Sequence, residues 1–130
     1  MFQNASSMVL LGLAALCGAP PEKSASHYFI TPSGPAQARI GATITVKARL
    51  TYGPNVAYAA DHPIRNAPVI FTRSGGHHFG PVKTDENGWA QITYKIPADP
   101  ANRHSEVVSV DYRDANNKNH VRNEIGIKLP

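Results

Sequence analysis

Cysteine is almost missing from this chain. The one residue, Cys17, rules out any disulfide within the domain, so stability has to come from an apolar core. Long apolar runs are missing too: no stretch reaches the roughly 18 to 20 residues that a membrane-spanning helix requires. Gly-x-Ser-x-Gly, a phosphate loop and His-Glu-x-x-His do not occur. The pairs Asp61-His62 and Ser105-Glu106 are the nearest things to triad fragments, and such dipeptides arise by chance in most chains. Concentrated basic charge is also wanting. Lys plus Arg is 13 against 9 for Asp plus Glu, a net +4, but the cations are scattered singly, and even Lys118, His120 and Arg122 are isolated residues. A nucleic-acid surface needs a denser stripe, often interleaved with aromatics, which excludes that partner. No long 3.6-residue periodicity is present either, and with it goes an α-helical fold.

What remains is the pattern of a β protein. The chain has 130 residues, enough for one domain and too few for two separate cores. Eleven Pro and ten Gly punctuate it into short segments. Residues 84–96 organise the rest. Asp85-Glu86-Asn87-Gly88 is a turn signal, in which Asn87 and Gly88 tolerate positive φ and Asp85 can bond the turn backbone, and it reads as a tight hairpin loop. Ala90, Ile92, Tyr94 and Ile96 then alternate with Gln91, Thr93 and Lys95, which places one set on each face of a half-buried antiparallel strand. Trp89 starts out of phase and is expected on the outer face or the sheet edge, partly covered.

The clearest strand has Ala42, Ile44, Val46, Ala48, Leu50 and Tyr52 on one face and Thr43, Thr45, Lys47, Arg49 and Thr51 on the other. It should be central. Val69-Ile70-Phe71 is apolar enough to predict cover on both faces, and Ser74-Gly75-Gly76 turns the chain back through residues 77–83. A rigid connection is expected over residues 97–102. Val108, Val110 and Tyr112 mark the next strand, residues 114–119 form a hairpin tip, and Ile125, Ile127 and Leu129 mark the last strand. The count is about seven strands, and the predicted fold is all-β: an Ig-like antiparallel β-sandwich over residues 27–130.

Ahead of it, Met8-Val9-Leu10-Leu11-Gly12-Leu13-Ala14-Ala15-Leu16-Cys17 matches the apolar core of a secretory signal peptide, although Lys and Arg are missing from residues 1–7. The expectation is an exported protein, periplasmic, surface-bound or extracellular, with residues 1–26 as signal and tether. Two routes stay open. Cys17 after Leu16 resembles a lipoprotein signal, which implies lipidation of Cys17 and a membrane contact through that anchor alone. Ordinary cleavage after Ser24-Ala25-Ser26 would leave His27 at the mature terminus, and Ala15-Leu16-Cys17 offers a nearer cleavage triplet.

Residues 66–72 (Asn-Ala-Pro-Val-Ile-Phe-Thr), then Gly75-Gly76, then residues 82–94 (Val-Lys-Thr-Asp-Glu-Asn-Gly-Trp-Ala-Gln-Ile-Thr-Tyr) resemble the bacterial Ig-like domains of the invasin and intimin type. The likeness extends over about residues 41–129, and residues 107–114 fit the family's following strand. It implies a surface module serving as spacer, stalk or adhesive unit, with no catalytic residues and no cofactor. Its partners would be a protein or carbohydrate surface ligand, or neighbouring subunits of an assembly.

Residues 56–68 are the least regular part, a long loop with at most one short strand, and long loops often carry binding work. Val56, Tyr58, Asp61 and His62 are the candidate binding residues, with the alternative that the apolar ones fold back onto the end of the sandwich. A second chemistry is possible. The chain has six histidines, and a mature N-terminal His27, joined by His62, His77 or His78, would suit copper or nickel in a periplasmic carrier. His77 and His78 are adjacent, so in a regular strand their rings point to opposite faces. They could converge on one ion only in a turn conformation.

Overall fold

The computed structural model describes residues 26–98, 103–116 and 118–130. The segment expected to direct export, with Cys17, most of the Pro-rich connection at 99–102, and Asn117 of the hairpin tip lie outside the described residues. Seven strands follow in order: β1 (His27–Ser33), β2 (Thr43–Gly53), β3 (Pro68–Arg73), β4 (His77–Lys83), β5 (Trp89–Lys95), β6 (Ser105–Arg113) and β7 (His120–Lys128). One helical turn, α1 (Val56–Ala59), lies between β2 and β3. The strands form two antiparallel sheets, β1-β2-β5 and β4-β3-β6-β7. This is an Ig-like sandwich in which the fourth strand sits beside the third, in the larger sheet.

Period-two alternation builds the core. Ile44, Val46, Ala48 and Leu50 of β2 and Ala90, Ile92 and Tyr94 of β5 point inward from one sheet. Val69, Phe71, Val108, Val110, Tyr112 and Ile127 meet them from the other, and all are buried. β2 is central in its sheet, as its pattern predicts, and Trp89 sits half-covered on the outer face of the edge strand β5. On one side the chain after β1 crosses to the larger sheet: Ala38 N donates to Lys128 O at 2.9 Å and Lys128 N to Ala36 O at 3.0 Å. On the other side Phe79 and Tyr94 stack across the gap with ring centroids 5.0 Å apart.

Three expectations need correction. The 85–88 turn joins β4 and β5, which belong to opposite sheets, so it is an arch between layers and not a hairpin. Locally it closes as expected, with Asp85 Oδ1 accepting from Asn87 N at 2.8 Å and Trp89 N at 3.0 Å. The crossing is fixed by buried Thr84, whose Oγ1 accepts from Ala67 N at 2.9 Å and donates to Ile64 O at 2.7 Å. Gly88 alone in this turn has a positive φ, +82°, and an added Cβ there would lie 2.6 Å from Leu50 O. Second, β3 is not covered on both faces: Ile70 points outward and is 40% exposed, because among the described residues no element packs on that side of the sheet centre. Third, the irregular segment contains a helical turn. Beneath it, Thr51 and Gly53 on the outer side of β2 are buried, which ends the regular alternation there.

Glu106 is fully buried between the sheets. Arg73 Nε donates to its Oε2 at 2.9 Å, and Arg103 Nη1 and Tyr94 OH also donate to the carboxylate. Burial by itself would raise this carboxyl's pKa. The hydrogen bonds from Arg73, Tyr94 and Arg103 outweigh that and hold it below the usual range. Arg103 Nη2 also donates to Pro97 O at 2.7 Å, tying the start of the crossover after β5 to β6.

Candidate functional site

The site is built around α1. Asn55 caps it from an extended backbone conformation, its Oδ1 accepting from Tyr58 N at 2.8 Å. Ala59 N donates to Asn55 O at 3.0 Å, Ala60 N to Val56 O at 3.0 Å, and His62 N to Ala59 O at 2.8 Å. Ala59 is wholly buried against β2 and anchors the turn. Gly53 makes this seat possible, since a Cβ there would lie 2.5 Å from Tyr58 Cδ1. Pro63 then forms a bridge to Thr51, and Ile64 N donates to Leu50 O at 3.0 Å, which fastens the far end of the loop to the sheet.

This framework presents a rigid aromatic pair. The rings of Tyr58 and His62 stack with centroids 4.0 Å apart and planes 4° from parallel. His62 Nδ1–H donates to Tyr58 O at 2.8 Å, which leaves Nε2 as the ring atom open to a ligand. Tyr58 is about half exposed despite this fixation. The pair lines a cleft of about 970 Å3 at the end of the sandwich, together with Tyr52, Pro54, Asp61 and Ile64. Behind it runs an aromatic ladder: Tyr52 packs on Tyr28 at 4.6 Å, and Tyr28 meets Tyr112 edge-on at 5.0 Å. Burial, and then the neighbouring Tyr112, push the Tyr28 phenol up to about 12, so it stays neutral and can donate a hydrogen bond across the physiological range.

Of the four candidate binding residues, the structure brings Tyr58, Asp61 and His62 together in this cleft. Val56, 65% exposed, lies on the other side of α1. There it lines a pocket of about 400 Å3 with Phe29, Arg49 and Trp89. Tyr52 and Ile64 were missed as cleft residues. The signal for Tyr52 was its place at the end of a strand, next to Gly53-Pro54, where an inward-pointing ring reaches the rim instead of the core.

The four candidate metal ligands are dispersed. His62 lines the end cleft, and His27 lines a small cavity of about 260 Å3 beside Lys118 and His120. His78 lines a cavity of about 510 Å3 on the larger sheet, where its Nδ1 lies 2.8 Å from Thr72 Oγ1. His77 instead packs edge-on against Phe79 at 4.9 Å. His77 and His78 pair in regular register with Arg73 and Thr72, so their rings alternate faces as strand geometry requires. Among the described residues no three His, Cys, Asp or Glu side chains come together as a metal set. His120 Nε2 and Asp111 Oδ1, 2.9 Å apart, form a separate pair beside His78.

Comparison of the chain with protein-family models, curated proteins and solved structures finds no match. Function has to be argued from the geometry.

Proposed function

We propose that this Ig-like domain is a non-enzymatic binding module, exported to the cell surface or beyond, which engages a protein or carbohydrate ligand through the cleft beside α1. The observation carrying this reading is the Tyr58–His62 stack: an aromatic pair held rigidly by a capped turn yet left half open to solvent. A buried ring stabilises a fold. An exposed ring fixed this firmly contributes little to stability, and it offers a ligand a surface whose ordering cost is already met. The cleft supplies stacking area with a few single polar groups, Asp61 and His62 Nε2 among them, which is the composition of a recognition site. The invasin-like sequence pattern agrees with an adhesive or assembly role, and the export reading rests on residues 8–17 of the sequence.

The test is selection of ligands for the wild-type chain from a printed glycan array and a displayed peptide library. Tyr58→Ala should lose the selected ligands while its melting temperature stays within about 3 °C of wild type. Unchanged selection would refute the reading, and a large fall in stability would show that Tyr58 belongs to the core.

A further inference from the structure

The outer face of the smaller sheet carries charge of one sign. β1, β2 and β5 contain no aspartate or glutamate, and their outward positions include Lys47, Arg49 and Lys95. The register sets Lys47 opposite Gln91, Arg49 opposite Trp89 and Lys95 opposite Thr43. Hydroxyls fill much of the remaining face, and Thr45 and Thr93 share a hydrogen bond of 3.0 Å across it. None of the three cations forms an ion pair among the described residues. The larger sheet differs: β6 and β7 mix Asp111 and Glu124 with Arg113, Arg122 and Lys128.

One end of this basic face is shaped. The pocket of about 400 Å3 has Phe29 and Trp89 as aromatic walls, Val56 and Thr31 beside them, and Arg49 within it. Arg49 Nε donates to Asn87 O at 3.0 Å, which steadies the guanidinium and leaves its terminal nitrogens without a protein partner among the described residues. A guanidinium fork matches a planar carboxylate, and an aromatic wall suits the apolar face of a sugar ring. The threonine and glutamine groups along the sheet can exchange hydrogen bonds with sugar hydroxyls.

We propose that this face binds a carboxylate-bearing acidic polysaccharide, one ring seated between Phe29 and Trp89 with its carboxylate on Arg49, the chain continuing over Lys47 and Lys95. Lys47 and Arg49 lie two residues apart on one strand face, about 7 Å, so their long side chains can meet separate acidic groups of one chain. Single-stranded nucleic acid fits less well, because it calls for a groove in which several aromatics stack successive bases. The surface is separate from the end cleft, and the two readings stand or fall independently.

The test is titration of the full chain with polygalacturonate, dextran sulfate, neutral dextran and a twenty-residue oligothymidylate. Polygalacturonate should bind in a salt-dependent way, neutral dextran should not, and the other two should bind more weakly. Lys47→Glu with Lys95→Glu should weaken polygalacturonate binding about tenfold or more, and Arg49→Gln comparably. Lys83→Glu with Lys128→Glu changes net charge equally on the larger sheet and should have little effect, as should Tyr58→Ala. Equal weakening by both lysine pairs, or equal affinity for the oligothymidylate, would overturn the proposal, as would a preference for dextran sulfate. Lys47 and Lys95 are exposed and unpaired among the described residues, so melting temperatures should hold and the affinities can be read directly.

Discussion

Glu106→Gln is the most informative single perturbation of this fold. The carboxylate is wholly buried, while the Arg73 and Arg103 side chains that bind it are 14% and 9% exposed, so water can do little to replace it. Glutamine keeps the shape but removes the charge, leaving two guanidinium groups beside a neutral amide. Breaking a buried pair in this way costs about 3–5 kcal/mol. At about 4 °C or more per kcal/mol for a domain of this size, the melting temperature should fall by at least about 12 °C. The pH dependence gives a second readout. The folded-state pKa of Glu106 lies below its unfolded value, so its stabilisation is complete above the ordinary carboxylate range and is lost as pH falls through the depressed value. Urea unfolding of the wild type between pH 7 and pH 2 should show that loss, and Glu106→Gln should show less of it. Replacing the group as a unit, Arg73→Met with Glu106→Leu and Arg103→Met, should recover much of the stability, because no charge is then left unpaired. A glutamine variant within about 1 kcal/mol of wild type, or one with an unaltered acid limb, would refute the account.

The arch between the sheets makes two further predictions. Gly88→Ala places a Cβ in a left-handed backbone conformation and against Leu50 O, so thermal melts should report a loss of about 1–3 kcal/mol from strain alone, and more with the clash; a negligible shift would mean the turn is not held against β2. Thr84→Val leaves Ala67 N–H and Ile64 C=O without their buried partner and should cost about 1–3 kcal/mol in chemical unfolding, whereas Thr84→Ser should lose much less. A loss for Thr84→Ser as large as that for Thr84→Val would show that the methyl group, which valine keeps, matters as much as the hydroxyl and that the latch is not what fixes the crossing.

Strands were legible because period two is a local property. β2 and β5 read correctly from alternation alone, as did the inward set of β6. Their assignment to sheets was not legible. Asp85-Glu86-Asn87-Gly88 has the residues of a hairpin loop, and its local hydrogen bonds are those the residues predict. What makes it an arch is the Thr84 latch to residues 64 and 67, together with Leu50 N donating to Gly88 O at 2.8 Å. These partners lie far away in sequence. Ile70 failed for a related reason: three consecutive apolar residues show that a strand could be covered twice, and only the architecture shows that none of the described elements lies above the larger sheet. α1 was a different kind of miss, since Asn55 before an alanine-rich run is a helix-start signal that can be found locally.

The basic face follows the same logic from the opposite direction. Each cation is isolated in sequence, Lys47 and Arg49 on one strand and Lys95 on another, with acids such as Asp61, Asp85 and Glu86 between them. Counted along the chain, the charge looks diluted. The Ig-like topology removes the intervening segment, because β3 and β4 go to the other sheet and carry the chain back before β5 pairs with β2. That return places Trp89 opposite Arg49 and Gln91 opposite Lys47. A property hidden by chain order thus becomes a surface once register is known. The same register explains why the two candidate binding regions flank α1. Residue 52 ends the inward set and turns its ring to the cleft, while residue 49 belongs to the outward set and points its guanidinium into the pocket on the other face. A ligand at either site therefore meets side chains whose positions are set by β2, the most regular strand of the fold, and α1 contributes the wall between them.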